Sequence, residues 1–331
     1  MEVVLIPGDG IGKEISESVK RVSDALDCDI NWLEYKAGAE YFETSGKLLE
    51  DGLLEKIEAV KLALKGPTAT PIGKGFKSIN VYLRQSFNTY ANIRPVKSIN
   101  GVKSRYDDVD LVVIRENSED LYKGVEEMVD ENTAHSIKII TRSASERIIR
   151  YAFEYAKNNN RKKVTCVHKA NIMKLSDGLF LDIFNSVKEE YPEIESDSVI
   201  IDALCMKLVT DPSKFDVLVA PNLYGDIISD LCAGLVGGLG FAPSSNIGDN
   251  VRIYEAVHGS APDIAGKNIA NPTAILMAFA MLLNDNGMKD KAQLLNKTIL
   301  DIYLDEKVVT QDVGGTATTK EFTDEIIRRI K

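Results

Sequence analysis

Short apolar runs that end in polar or charged residues are the strongest constraint on how this chain folds. They read VVLI at 3–6, LVVIRE at 111–116, KVTCVHK at 163–169 and FDVLVAPN at 215–222. Between them apolar residues recur at helical spacing: after the first run, Ile15, Val19, Val22 and Leu26 fall on one face. Near-continuous apolar strands separated by amphipathic helices imply an α/β protein with buried, mostly parallel strands. With 331 residues, 44% hydrophobic and 27% charged, the chain has room for two packed globular domains. No repeat, low-complexity tract or obvious linker interrupts it.

The polar strand ends also locate a site. Arg115 and Glu116 close one strand, His168 and Lys169 another, and Asn222 with Asp226 follows a third. In open α/β sheets ligands bind beyond the carboxyl ends of the strands. Any one of these residues reads as a strand end meeting solvent, whereas all of them together point to one site.

The first strand, turn and helix, VVLIPGDGIGKEI, look like the start of a dinucleotide-binding domain. The spacing excludes it. That fingerprint needs G-x-G-x-x-G, and Lys13 stands where the third glycine is required after Gly8 and Gly10. Any nucleotide is therefore bound by other residues.

Composition excludes further classes. A net charge of -10 disfavours nonspecific nucleic-acid binding but leaves room for a local basic pocket. No apolar run reaches the roughly 18 residues of a membrane span, so no membrane partner is expected. The N-terminus reads as a strand with early Glu2 and Asp9, unlike a secretory signal, so the expected location is cytoplasmic. Cys28, Cys166, Cys205 and Cys232 lie scattered in apolar runs without CxxC spacing, which implies buried free thiols.

Two constellations carry chemistry. In PNLYGDIISDLCAGLVGG, Asp226 and Asp230 stand four apart near a helix start, so their carboxylates share a face and repel. A hard divalent cation, Mg²⁺ or Mn²⁺, resolves that repulsion; stabilisation of the helix N-terminus is the competing explanation. The second constellation is cationic. Arg84, Arg94 and Arg115 are suited to clamp carboxylates through the planar guanidinium fork, or singly to make surface ion pairs. With Lys169 and Tyr122 they suit a metal-chelating polycarboxylate, which suggests a hydroxy polycarboxylate substrate.

In this order the chain shows IPGDGIG, GPTATP, LRQSFNTYANIRP, RENSEDLY, VHKANIMKLSDGLF, NLYGDIISD, HGSAPDIAGKNIANP and TQDVGGTAT. The series resembles the β-decarboxylating dehydrogenases, the family of isocitrate, 3-isopropylmalate, homoisocitrate and tartrate dehydrogenases, over nearly the whole chain. The resemblance implies two α/β domains with a central cleft and an NAD site that is not a Rossmann fold. It places the large domain at 1–94 and 237–331, and the small domain, with the dimer interface, at 95–236.

The same resemblance implies site residues. Ser78, Asn80 and Arg84 fit the S-x-N-x-x-L-R pattern of isocitrate dehydrogenases; a Ser/Asn helix cap is the other explanation of the first two. Isocitrate is thus the leading substrate, bound by Ser78, Asn80, Arg84, Arg94, Arg115, Tyr122, Lys169 and Asn171, with homoisocitrate or 3-isopropylmalate as alternatives. The implied metal ligands are Asp226, Asp230 and Asp202, the last supplied with Lys169 by a partner subunit of a homodimer or higher homo-oligomer. Lys169 removes the substrate hydroxyl proton, a role Asp226 could share, and Tyr122 protonates the enol carbon to give 2-oxoglutarate. The adenosine of NAD is expected against His258, Gly259, Ala261, Asp263, Ile264, Asn271 and Asp312, with Thr70 nearer the nicotinamide. Asp263 repels the 2′-phosphate of NADP. A noncatalytic regulatory subunit of a heteromeric enzyme is the rival from another class, opposed by the presence of Tyr122, Lys169, Asp202, Asp226 and Asp230.

Overall fold

A computed structural model of the chain describes residues 1–69 and 78–331. The first segment contains β1 (Glu2–Ile6), α1 (Gly12–Ala25), β2 (Asn31–Glu34), α2 (Ala39–Ser45), α3 (Leu53–Val60) and β3 (Leu62–Lys65). Then come α4 (Ile79–Ser86), β4 (Ala91–Lys97), β5 (Asp110–Glu116), β6 (Glu126–Asp130), β7 (Thr133–Ser136), α5 (Arg142–Asn158), β8 (Lys163–His168), α6 (Ser176–Val187) and β9 (Glu195–Ile200). The chain continues through α7 (Ile201–Thr210), β10 (Val217–Ala220), α8 (Asn222–Leu235), β11 (Pro243–Ile247), β12 (Arg252–Ala256), α9 (Thr273–Asp285), α10 (Lys289–Asp305) and α11 (Thr319–Ile330).

One sheet runs β2-β1-β3-β12-β11-β4-β5-β10-β8-β9, and β6 pairs with β7 in a separate hairpin. Parallel pairing was expected, and it holds in two blocks, β2-β1-β3-β12 and β5-β10-β8-β9. The blocks are joined through antiparallel β11 and β4. Residues 248–251 link β11 to β12, and so short a connection permits only antiparallel pairing. The run FDVLVAPN forms a shorter strand than its apolar pattern suggests, because the helix α8 already begins at Asn222.

Packing follows the periodicity. On α1, Ile15, Val19 and Val22 are fully buried against β1, β3 and α9. Helix α9, TAILMAFAMLLND, is apolar on nearly every face because it lies between the sheet and α10. Among the described residues the core divides into four clusters. Two gather around β1, β3 and β12 with α1, α3, α9, α10 and α11; two gather around β5, β8 and β10 with α5, α6, α7 and α8. Strand β4 belongs to the second pair through Ile93 and Val96, and Ile247 of β11 joins it.

The glycine-rich first turn has a packing role. Gly8 has φ +76, and a Cβ there would lie 2.0 Å from the Pro67 carbonyl oxygen; at Gly10, φ +57, it would lie 2.0 Å from that of Ser260. Only glycine tolerates both the conformation and the approach. Between them the buried Asp9 accepts the N–H groups of Ala39 (3.0 Å), Glu40 (2.9 Å) and Ala69 (2.7 Å). A carboxylate of the chain thus fills the anion-binding position that this turn and α2 create.

Candidate active site

The sheet assembles the site from the carboxyl end of β5, the first turns of α8 and the neighbouring antiparallel strand β4. Antiparallel register sets Asn92 of β4 opposite Arg115 of β5, and α8 packs across both strands. Gly225 lets it do so: a Cβ there would lie 2.5 Å from the Arg115 side chain.

Arg115 is 1% exposed. Its Nε donates to the Asn222 backbone and side-chain oxygens, each at 3.0 Å, its Nη2 to Asn222 Oδ1 at 2.8 Å, and its Nη1 to Asp226. Arg94 Nε donates to Asn92 Oδ1 at 2.7 Å and Nη1 to Ser229 Oγ at 2.6 Å. The same guanidinium lies 3.3 Å from both Asp226 Oδ1 and Asp230 Oδ1. Tyr122 donates its hydroxyl to Asp226 Oδ2, and its ring lies under the Arg115 guanidinium at 4.8 Å. The structure therefore gathers Arg94, Arg115, Tyr122, Asp226 and Asp230 in one cluster.

Two sequence expectations change here. The repulsion between the two aspartates was assigned to a divalent cation, yet Arg94 and Arg115 lie against them, brought by strand pairing rather than by proximity in sequence. Helix-terminus stabilisation also fails as an explanation, since α8 starts at Asn222 and has no acidic residue in its first turn. Burial raises the Asp226 carboxyl, but Arg115, the Tyr122 hydroxyl and Arg94 outweigh it and hold it below the ordinary range. Asp230 moves the other way, raised by burial and by Asp226 against the pull of Arg94. Burial and the bond to Asp226 raise Tyr122, keeping its proton on at neutral pH.

Arg84 lies behind this cluster. Its Nη2 is 3.4 Å from Glu255 Oε1, and its buried Nε has no hydrogen-bond partner among the described residues. Glu255 is the residue sequence reasoning missed. It faces Lys65 Nζ at 2.9 Å and accepts from Asn246 Nδ2 at 2.7 Å. Burial favours its neutral form, but Lys65 and Arg84 hold its pKa far below the carboxylate range. The available signal was two charges ending apolar runs, LALK and RIYEA; their pairing appears only when β3 and β12 align in register. Ser78 is exposed at the start of α4 and makes no capping bond, so the helix-cap explanation fails. Asn80 Oδ1 accepts from Thr68 at 3.2 Å.

Lys169 and Asp202 stand apart from the cluster. They pair with each other, and Asn171 is exposed beside them. Among the described residues no three His, Cys, Asp or Glu side chains gather as a metal site. Asp226 and Asp230 supply hard oxygen donors but need a further ligand.

The expected adenosine residues lie in the segment after β12 and at 312. Ser260 accepts the Ile11 N–H at 3.0 Å, bringing this segment against the first turn. Asn271 Nδ2 donates to Asp312 Oδ2 at 2.9 Å. Asp263 and Gly259 are exposed, Ile264 packs against the core, and Ala261 has φ +41. His258 Nδ1 lies 3.0 Å from the Gly259 carbonyl, while its buried Nε2 has no hydrogen-bond partner among the described residues. Thr70 lies outside the described residues.

The sequence family described as isocitrate/isopropylmalate dehydrogenase matches residues 2–326. Isocitrate dehydrogenase (NAD) catalytic subunit 5, mitochondrial, of Arabidopsis thaliana is 53% identical, over 97% of this chain and 86% of its own. A mitochondrial isocitrate dehydrogenase (NAD) regulatory subunit of Dictyostelium discoideum is 52% identical, over 99% of this chain and 92% of its own. The crystal structure of isocitrate dehydrogenase from Methylococcus capsulatus superposes with a TM-score of 0.96 at 46% identity, covering 99% of both chains. The Arabidopsis and Dictyostelium relatives are both named as mitochondrial, which overturns the expectation of a cytoplasmic protein. No helix among the described residues is long and apolar enough to cross a membrane.

Proposed function

The chain belongs to the isocitrate/isopropylmalate dehydrogenase family, and on that premise we propose that it is a catalytic NAD-dependent isocitrate dehydrogenase, producing 2-oxoglutarate and CO₂. The observation that carries this reading is the cluster of Arg94, Arg115, Tyr122, Asp226 and Asp230. Its arginines already hold a carboxylate, that of Asp226, both through its Oδ1. Isocitrate would take over Arg84, Arg94 and Arg115, with Ser78 and Asn80 meeting its distinguishing carboxylate. Asp226 would then be free to turn, with Asp230, toward a divalent cation.

Asp226 and Asp230, with Asp202 of a second copy, are the residues that would hold Mg²⁺ or Mn²⁺. When bound, the cation supplies positive charge that favours the ionised substrate hydroxyl and polarises the carbonyl formed from it. Lys169 of the second copy takes the hydroxyl proton, a role Asp226 could share, and Asn171 orients the substrate. Tyr122, protonated and beside the cluster, returns a proton to the enol carbon after CO₂ leaves. NAD, the hydride acceptor, would lie along His258–Asn271 and Asp312, where the His258 Nε2, without a partner among the described residues, would face it, with Thr70 toward the nicotinamide. Asp263 is exposed and forms no ion pair among the described residues, so its charge is free to select against NADP.

We propose a homodimer or higher homo-oligomer with shared sites, a reading supported by the pairing of Lys169 with Asp202 rather than with the cluster. Apolar side chains support it: Leu175 is 90% exposed, and Ile172, Met206, Ile227 and Met128 are exposed as well, all on or beside the elements that carry site residues. The proposed division into 1–94 with 237–331 and 95–236 is supported by the core clusters except at β4 and β11, where the sheet is continuous, and at Ile99 and Val102, which pack with the first pair of clusters.

Assaying the purified chain alone with isocitrate, homoisocitrate, 3-isopropylmalate and tartrate, each with NAD and NADP, tests the reading. Isocitrate with NAD should give the highest kcat/KM. No activity without a second type of subunit would instead indicate a regulatory chain, like the Dictyostelium relative; preference for another acid would reject isocitrate.

A further inference from the structure

We propose that Lys138 is the positioning residue that fixes Lys169 and the N-terminal end of α8 relative to one another. The inference rests on the roles given above to Lys169, Asp226 and Asp230. Lys138 follows β7 in an extended segment sewn to the turn that carries Tyr122: Ile137 N–H donates to Val125 O and Asp120 N–H to Ile139 O, both at 2.9 Å.

The Lys138 side chain is 12% exposed. Its Nζ donates to Asp177 Oδ1 at 2.5 Å, lies 4.0 Å from Asp120 Oδ1, and sits 4.2 Å from the centre of the Tyr224 ring on α8. Both aspartates are 0% exposed, and each spends its other oxygen on the site. Asp177 Oδ2 accepts the backbone N–H of Lys169 at 2.7 Å. Asp120 Oδ2 accepts that of Leu223, in the first turn of α8, at 2.9 Å. Asp120 also has φ +70, a conformation that non-glycine residues hold only when their surroundings enforce it.

Among the described residues Lys138 is the sole cation within ion-pair distance of either aspartate. Two buried carboxylates without a counter-charge cannot both remain ionised and close. Without the ammonium, the two buried carboxylates that anchor the Lys169 and Leu223 backbones would lose their shared counter-charge, and both anchors would loosen together. A residue that only stabilised the fold would loosen the whole molecule instead.

Hydrogen exchange of the full-length chain, read by mass spectrometry, separates these. In Lys138→Ala, exchange at Lys169 and Leu223 should accelerate at least tenfold while β1 and α11 stay within twofold. Added ethylammonium should reverse the change, and ethanol should not. Asp177→Asn conserves size but sets a donor against either Lys138 or the Lys169 N–H, so it should loosen Lys169 and leave Leu223 unaltered; it carries the test if Lys138→Ala does not fold. In turnover, Lys138→Ala should lower kcat at least tenfold with KM for NAD within twofold. Unchanged exchange at Lys169 in either folded variant, equal acceleration in β1 and α11, or altered exchange with unaltered kcat would each overturn the proposal. Failure of the wild-type chain to oxidise isocitrate would count against the function proposed above, and the exchange measurements would still decide the placement of Lys169 and α8.

Discussion

Glu255→Gln should destabilise the protein strongly although the substitution changes one atom. Glu255 lies 2.9 Å from Lys65 Nζ and 3.4 Å from Arg84 Nη2, with all three side chains buried. At an effective dielectric of about 20 these separations correspond to attractions of about 6 and about 5 kcal/mol. Desolvation of the three groups offsets much of that. What remains when one partner of a buried pair is removed is typically about 3–5 kcal/mol, since the other charge is left uncompensated. For a chain of 331 residues, an unfolding entropy of about 2.1 cal/mol/K per residue makes each kcal/mol worth about 1.4 °C, so that loss lowers Tm by about 4–7 °C. Thermal unfolding at pH 7, followed by circular dichroism, measures it. The pH dependence gives a second check. Because Lys65 and Arg84 hold the Glu255 pKa far below its unfolded value of about 4.3, its stabilisation is fully present above that value and is lost as pH falls toward the folded pKa. Between pH 5 and 3 the wild type should therefore lose more Tm than the variant. A Tm within about 2 °C of wild type, or parallel acid losses in both proteins, would refute the assignment of Glu255 as the counter-charge of Lys65 and Arg84.

Asp230→Asn should raise the Mg²⁺ concentration required for half-maximal activity by about tenfold or more, because one anionic ligand is lost; reduced thermal stability with unchanged metal dependence would remove Asp230 from the ligand set. Tyr122→Phe should slow oxidative decarboxylation by about a hundredfold or more through loss of the proton donor, yet reduce an added β-keto acid at its carbonyl better than it completes the full reaction. Equal loss of both would reject the acid role. Asp263→Lys combined with Ile264→Tyr should shift kcat/KM toward NADP and away from NAD, since a repelling charge becomes an attracting one. A wild type that prefers NADP, or a ratio that does not move, would show that other residues select the cofactor.

Periodicity along the chain determined the α/β class, the positions of the main strands and the placing of Arg115, Lys169 and Asp226 at or just beyond strand ends, because burial of one face imposes its period on local sequence; Lys169 nevertheless pairs with Asp202, apart from the cluster. Spacing also excluded a dinucleotide fingerprint at Gly8–Lys13, and the ordered motifs pointed to the family. Tertiary structure alone decided which charges meet. Lys65 and Glu255 are distant in sequence and adjacent only through the register of β3 and β12. Arg94 reaches Asp226 and Asp230 because α8 crosses β4 and β5. The antiparallel centre of the sheet was equally invisible, since a strand buried on both faces, such as β11 with its sequence PSSNI, carries no mark of its neighbour's direction. Apolar burial leaves a repeating trace in the chain, whereas an ion pair across a sheet depends on two positions that nothing in the local pattern connects.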